Sequence, residues 1–104
     1  MVRAVPDDEL DPVIHAQARL RVVATLAALG EGDRIAFPRL RRLLDMTAGN
    51  LSTHLRRLEE ADYVMITKTY EGRSPATYVA LTPTGRLAFD RYSRRLLDLL
   101  GSAR

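Results

Sequence analysis

The sequence predicts a mainly α-helical α+β domain in which a small β-hairpin lies between helices. Three observations predict this fold class. Two short helical patterns are joined by the tight connection Asp45-Met46, two strand-like runs flank a turn-forming segment at 71–75, and longer helical patterns stand at both ends of the chain. The expected order of elements is therefore α-β-α-α-β-β-α.

The first helix is announced by Asp11 as its N-cap and Pro12 at its first helical position. We predict that it runs to Leu29 and stops at Gly30. Its second half is apolar except for Thr25, and a helix that is apolar nearly all round is covered on more than one side. Its own core can cover one side, and a second subunit could cover another.

The middle of the chain contains the two short helices. Residues 34–37 are predicted to form a very short strand, and Pro38 then opens a helix that ends near Leu44. After the tight connection, Thr47 caps the next helix, which is expected to reach about Ala61.

The last part of the chain contains the hairpin and the final helix. Residues 63–69 and 77–81 alternate in polarity and flank turn-forming residues, so they predict two paired strands. Thr82 caps and Pro83 starts a helix that is predicted to run to about Leu100. Two helices joined by a tight turn and followed by a β-hairpin form the winged helix-turn-helix arrangement.

Length and composition limit the function classes. At 104 residues the chain has the size of one domain, which we place at 10–100 behind a flexible segment at 1–9. No apolar run approaches a membrane span, and the first residues lack a signal-peptide pattern, so we expect a cytoplasmic protein. There is no cysteine, and His15 and His54 are too few for a histidine-built site, so we expect no metal and no cofactor.

Positive charge is concentrated in the middle of the chain. Residues 34–57 contain six arginines and one acidic residue, Asp45, whereas the whole chain has a net charge of +3. Such a run is typical of a solvated helix face, and it also fits a surface that binds a polyanion. The pattern of the second short helix favours the polyanion.

In that helix Leu51, Leu55 and Leu58 share a narrow arc that would anchor it to the core. The opposite arc has small and hydrogen-bonding groups first and arginines one turn later, as a helix that enters the DNA major groove requires. An ordinary solvated face usually carries long Glu and Lys side chains, and here acid occurs only at Glu59 and Glu60. The predicted base or groove contacts are Thr47, Gly49, Asn50, Ser52, Thr53 and Arg56.

A second set of side chains is expected to meet the DNA backbone or, from the hairpin, a minor groove. The hairpin alone could equally be a plain surface feature, because few cations lie near its tip. His54 is expected to make a structural hydrogen bond or a phosphate contact rather than bind a metal. The predicted phosphate and wing contacts are Arg39, Arg42, His54, Arg57, Lys68, Arg73 and Ser74.

The final helix has an apolar stripe with heptad-like spacing, which predicts a homodimer. The alternative is that the stripe packs on the first helix of its own chain. The predicted dimer interface contains Ile14, Val22, Leu26, Phe89, Tyr92, Leu96, Leu97, Leu99 and Leu100.

These residues resemble the small winged-helix regulators of the MarR, ArsR and PadR types. The resemblance covers about residues 10–100 and rests on short stretches: Gly49-Asn50-Leu51-Ser52, His54-Leu55, Leu58-Glu59-Glu60-Ala61, Tyr63-Val64, Gly72-Arg73, Pro75, Thr77, Leu81-Thr82, Gly85-Arg86, Ala88-Phe89 and Tyr92. It implies a cytoplasmic dimeric repressor or activator whose first and last helices form the interface. The chain departs from the family at Asp62, where glycine is usual, and at Ser74 and Ala76, where a more basic wing is common. The metal-binding cysteines of ArsR sensors have no counterpart here.

We therefore predict a homodimeric, sequence-specific DNA-binding regulator, with repression as the expected mode and a pseudo-palindromic duplex as its partner. The helix capped by Thr47 would enter the major groove, and residues 63–81 would form the wing. An unidentified small-molecule effector fits such an architecture, although no residue set indicates its chemical class. The alternative is a winged helix that binds another protein. No nucleophile–base pair, phosphate loop or buried carboxylate pair indicates an enzyme.

Overall fold

The computed structural model describes residues 10–102. The predicted flexible segment at 1–9 lies outside the described residues. The elements follow the predicted order: α1 Gln17–Ala27, β1 Arg34–Ala36, α2 Phe37–Leu44, α3 Ala48–Glu60, β2 Val64–Glu71, β3 Ser74–Leu81 and α4 Pro83–Ser102. The α+β winged-helix prediction is confirmed. None of the helices in this part of the chain is long and apolar enough to span a membrane.

The three strands form one antiparallel sheet in the order β1-β3-β2. One face of the sheet carries Ile35, Val79 and Ile66, which lie opposite one another across the strands. This face packs against the helices, because Ile35 and Val79 belong to the same buried cluster as residues from α1, α2 and α3. The sheet therefore closes one side of a core to which α3 is fixed.

The predicted start and end of the first helix are wrong. Asp11 does accept a hydrogen bond as a cap residue, but its Oδ1 takes the N–H of Val13 at 2.9 Å inside a turn. The helix begins only at Gln17, without a side-chain cap, and ends at Ala27. Asp11 and Pro12, which the sequence predicts as the N-cap and first residue of the helix, form a separate turn before it.

The wing is longer than predicted. Its strands continue to Glu71 and restart at Ser74, so the turn has only two residues. Gly72 has φ +63° and Arg73 does not have positive φ, the sign pattern of a II′ hairpin turn. Pro75, which the sequence predicts in the turn, lies in β3 opposite Tyr70.

The strand accepts Pro75 for a geometrical reason. The residues that flank a two-residue turn exchange hydrogen bonds, and the next pair along the ladder does not. Pro75 belongs to that next pair, so its ring nitrogen faces away from β2. On the other side β1 pairs only with Tyr78, Val79 and Ala80, so no ladder hydrogen bond is lost.

The dimer prediction must be corrected at its N-terminal half. Ile14, Val22 and Leu26 are 0%, 0% and 1% exposed within the single chain, so they have no surface to offer a second copy. Tyr92 is also buried, and its hydroxyl hydrogen-bonds to His15 Nδ1 at 2.9 Å. These four residues are part of the folded chain's own packing.

Three residues of the predicted interface, all near the C-terminal end of α4, are exposed. On α4, Leu97 is 66% and Leu100 is 61% exposed, and Leu99 is 37% exposed. Leu96 and Phe89 are half-buried. The second half of α4 therefore presents an apolar surface that residues 10–102 do not cover.

Candidate nucleic-acid interface

Helix α3 is held firmly at its N-terminal end and along its inner face. Thr47 is the N-cap, and its Oγ1 accepts the N–H of Asn50 at 3.1 Å, as the sequence predicted. Leu51, Leu55 and Leu58 are buried to 1% exposure or less. The predicted anchoring arc is therefore confirmed, and it orients the opposite side of α3 outward.

The helix ends in a Schellman motif without glycine. The N–H of Tyr63 bonds to the carbonyl of Leu58 and that of Asp62 to the carbonyl of Glu59, with Asp62 at φ 64°. Helix α2 ends in the same way, with Asp45 at φ 53°. Two aspartates in the left-handed region thus produce both the turn between α2 and α3 and the exit from α3 into the wing.

The outer face of α3 and its N-cap together carry every residue that is predicted to contact bases. All six are exposed: Thr47, Gly49, Asn50, Ser52, Thr53 and Arg56. Thr53 Oγ1 donates to the carbonyl of Gly49 at 3.0 Å, so its hydroxyl is left as an acceptor with a methyl group beside it. A Cβ on Gly49 would meet nothing within 4 Å, so the backbone there is open to a large partner.

The arginines fall into two groups that the sequence could not separate. One group supports the fold: Arg21 Nη2 donates to the carbonyl of Leu44 at 2.7 Å, and Arg41 Nη1 donates to that of Met46 at 3.2 Å. Arg34 lies over the ring of Tyr78, 4.0 Å from its centre. The second group, which also includes one lysine, is exposed, and within residues 10–102 its side chains have no hydrogen bond or ion pair: Arg39, Arg42, Arg56, Arg57, Lys68 and Arg73.

A groove of about 710 Å³ separates α3 from the wing. Its apolar floor is formed by side chains that sequence reasoning did not assign to the site, and its rim carries polar and charged groups. The lining residues are Phe37, Ser52, Leu55, Arg56, Glu59, Ile66, Lys68 and Thr77. The fold therefore brings together three predicted contacts, Ser52, Arg56 and Lys68, although Lys68 comes from a different element.

The remaining predicted contacts do not line this groove. Arg39 and Arg42 are exposed on α2, while Arg73 and Ser74 are exposed at the wing turn. His54 is half-buried, and its Nδ1 is buried without a hydrogen-bond partner in the described part of the chain. A phosphate contact from His54 would therefore have to use Nε2.

The wing also has an aromatic residue that sequence reasoning missed. Tyr70 is 70% exposed and lies opposite Pro75 near the tip. Val64, Ile66 and Lys68 alternate along β2, and the same alternation continues to Tyr70, which is the signal in the sequence that could have identified it. It was missed because the strand was expected to end at Thr69.

Comparisons with known proteins agree with this geometry. The family model described as a winged helix DNA-binding domain matches residues 18–100. An uncharacterised protein of Methanocaldococcus jannaschii is 31% identical over 87 residues, which are 84% of this chain and 91% of that protein. A transcriptional regulator homologue from Pyrococcus horikoshii OT3 superposes with a TM-score of 0.80 at 26% identity, over 88% of this chain and 87% of its own. A MarR-family regulator from Enterococcus faecalis V583 superposes with a TM-score of 0.70 at 25% identity, over 88% and 77%.

Proposed function

The chain belongs to the winged helix DNA-binding domain family, and from this premise we propose that it binds duplex DNA sequence-specifically as a homodimeric transcriptional repressor in the cytoplasm. The resemblance to MarR-type regulators is shown by the structural neighbours. Beyond the family and this likeness, we propose three further points: sequence-specific binding, a homodimer and repression of transcription.

One observation carries the DNA-binding part. The outer face of α3 combines exposed small and polar residues with cations that have no partner among residues 10–102. Ser52 and Asn50 are short hydrogen-bonding groups at the leading end, and Arg56 has a free guanidinium fork one turn later. A base edge in the major groove is recognised by such groups, with guanine as the usual partner of arginine.

The homodimer is supported by the exposed leucines of α4. Leu97 and Leu100 are 66% and 61% exposed on a helix whose first half packs on the core. A second α4 would cover this surface with the same kind of residue and make a two-fold symmetric contact. Such a dimer presents two copies of α3, so its site should be pseudo-palindromic.

Selection of bound sequences from a random duplex pool tests the proposal. We expect a pseudo-palindrome with half-site centres about 10 base pairs apart, one turn of the double helix. If the dimer neutralises about 6–10 phosphates, its affinity should fall roughly 10³–10⁵-fold between 50 and 200 mM salt. Addition of the protein to a promoter that overlaps the selected site should reduce transcript yield.

Other results would contradict the proposal in different ways. A flat salt response, or no duplex binding at low salt, would indicate that the winged helix is a protein-interaction module. A selected site without two-fold symmetry would leave DNA binding intact and remove the dimer. Increased transcript yield would reverse only the sign of regulation.

A further inference from the structure

We propose that Tyr70 and Pro75, which lie at the outer end of the groove between α3 and the wing, pack on the deoxyribose of bound DNA. The inference rests on the proposed DNA binding and deepens it. It assigns the wing a mainly apolar contact with the sugars, in addition to the charged contacts of Lys68 and Arg73.

The argument begins with the register of the hairpin. Lys68 pairs with Thr77, and Tyr70 pairs with Pro75. Side chains two residues apart in a strand share a face, so both pairs lie on the face of Ile66, which lines the groove. The floor of the groove therefore continues along the wing to an exposed Tyr70–Pro75 pair.

The charges along this path favour a polyanion. Arg56 and Lys68 stand on opposite walls, one from α3 and one from β2, and neither has a partner in the described residues. Ser52 and Thr77 add hydroxyl groups to the same walls. Glu59 is the acidic side chain of the lining, and it stands next to the floor toward the C-terminal end of α3.

The other nearby acidic residue, Glu71 of the wing, lies on the face of the hairpin that points away from this path. Glu71 follows Tyr70 directly, so its side chain lies on the opposite face of the hairpin, where it pairs with Ser74. The face that carries Lys68 and Tyr70 therefore has no acidic residue of β2 or β3. A phosphate strand that follows this face would meet cations and hydroxyls.

The topology of DNA supplies the occupant. A protein that places a helix in the major groove and a hairpin tip in the adjacent minor groove must straddle the single backbone strand between them. In this chain the space between those two elements is the groove of about 710 Å³. Lys68 and Thr77 on the wing side of its rim suit phosphates, whereas Arg56 on the α3 side is the residue proposed to contact a base. The outer end of the groove suits sugars.

Tyr70 suits the sugar surface. It is 70% exposed, more than any other large hydrophobic residue described, and its cross-strand neighbour Pro75 is also exposed. A single exposed aromatic side chain would be unremarked on most proteins. Here two apolar side chains lie side by side between Lys68 and the turn that carries Arg73, where a DNA partner would remove both from water.

The test compares Tyr70→Ala, Tyr70→Phe and Met65→Ala on the selected duplex. Met65 is the matched control, because it is 59% exposed on the opposite face of the same strand. We expect Tyr70→Ala to weaken binding about 5–20-fold with an unchanged salt slope, since an apolar contact releases no counterions. The wild type should protect minor-groove sugars of the bound duplex from hydroxyl radicals, and the Tyr70→Ala variant should not. Tyr70→Phe and Met65→Ala should match the wild type.

Two charge changes test the strand itself. Lys68→Ala should lower the salt slope by about one per protomer, as loss of a phosphate contact does. Glu59→Gln should bind several-fold more tightly, because a carboxylate beside the phosphates is removed.

The inference is overturned if Tyr70→Ala keeps both the wild-type affinity and the sugar protection, or if Glu59→Gln binds no more tightly while Lys68→Ala keeps the salt slope. If the wild type still binds its selected site in that assay, only this inference has failed and the proposed DNA binding stands. If the wild type binds no duplex, the proposed function fails first.

Discussion

The hydroxyl of Tyr63 donates a hydrogen bond to the carboxylate of Asp11, and so ties the residue just after α3 to the turn that precedes α1. The same Asp11 side chain accepts the N–H of Val13 through its other oxygen. Burial, followed by the hydrogen bond and the charge of Asp11, raises the pKa of the Tyr63 phenol well above its usual value, against a smaller opposite effect of Arg91.

This pKa shift predicts an alkaline loss of stability. The folded-state pKa of Tyr63 lies above the unfolded value of about 10. The protonated hydroxyl therefore contributes fully to the free energy of unfolding below pH 10, and this contribution is lost as the pH rises through the folded-state pKa. Tyr63→Phe should cost about 1 kcal/mol at neutral pH and show a shallower decline above pH 10. Urea unfolding of both proteins from pH 7 to 11.5 measures this. Burial also raises the pKa of Tyr92, but this residue is present in both the wild type and the variant and so does not affect the comparison. If the free energies of unfolding of the two proteins fall in parallel above pH 10, the prediction is wrong.

Gly85→Ala should destabilise the fold by about 1–3 kcal/mol or more, because there is no room for a Cβ. A Cβ there would lie 2.1 Å from the carbonyl oxygen of Tyr63 and 2.9 Å from Leu81 Cδ1. Gly101→Ala is the control, since it lies in the same helix with nothing within 4 Å. Thermal unfolding should separate the two variants by several degrees, and equal melting temperatures would show that Tyr63 can move aside.

Asp62→Gly should stabilise the protein by up to about 1 kcal/mol. Asp62 has φ 64°, a conformation that glycine adopts without the steric cost borne by other residues. Asp62→Ala is the matched control and should be no more stable than the wild type, because alanine has a Cβ and lacks the local hydrogen-bonding groups of aspartate. Midpoints of chemical unfolding give the order, and a glycine variant less stable than wild type would mean that the carboxylate has another role.

Arg56→Ala and Arg42→Ala should have different effects on DNA binding. Arg56 faces outward on α3, so its loss should cost about 1–3 kcal/mol on the best site and relax preference at one base position per half-site. Arg42 on α2 should meet only phosphate, so its loss should weaken all sequences alike and lower the salt slope. Binding selection on both variants measures this. The assignment of the recognition face is wrong if only Arg42→Ala changes the preferred sequence.

Replacement of both Leu97 and Leu100 by Asp should give a folded monomer. These side chains are mostly exposed in the single chain, so the change leaves its core intact but puts charge into the proposed interface. Leu43→Asp is the control, because Leu43 is 59% exposed on α2. Sedimentation should show a monomer for the double variant and a dimer for the control. A stable dimer of the double variant would place the interface elsewhere.

Local signals predicted helix α3, whereas the features that depend on tertiary contacts could not be predicted from the sequence. Thr47 and the spacing of Leu51, Leu55 and Leu58 act within α3, so cap and inner face were predicted correctly. The position of Pro75 depended on which way its nitrogen faces in the ladder. Arg41 and Arg42 are neighbours in α2, and nothing in the sequence distinguishes them. Only the Arg41 side chain donates a hydrogen bond across the turn, to the carbonyl of Met46.

The joint between α3 and α4 has a mechanical consequence. The carbonyl of Tyr63 accepts the N–H of Thr82 at 3.0 Å and lies directly against Gly85, while Thr82 Oγ1 donates to the carbonyl of Asp62 at 2.6 Å. The segment after α3 and the start of α4 are therefore joined by two hydrogen bonds and a close backbone contact. In the proposed dimer, a change in the angle between the two α4 helices would therefore be passed through these contacts to α3 and would alter the distance between the two copies of α3.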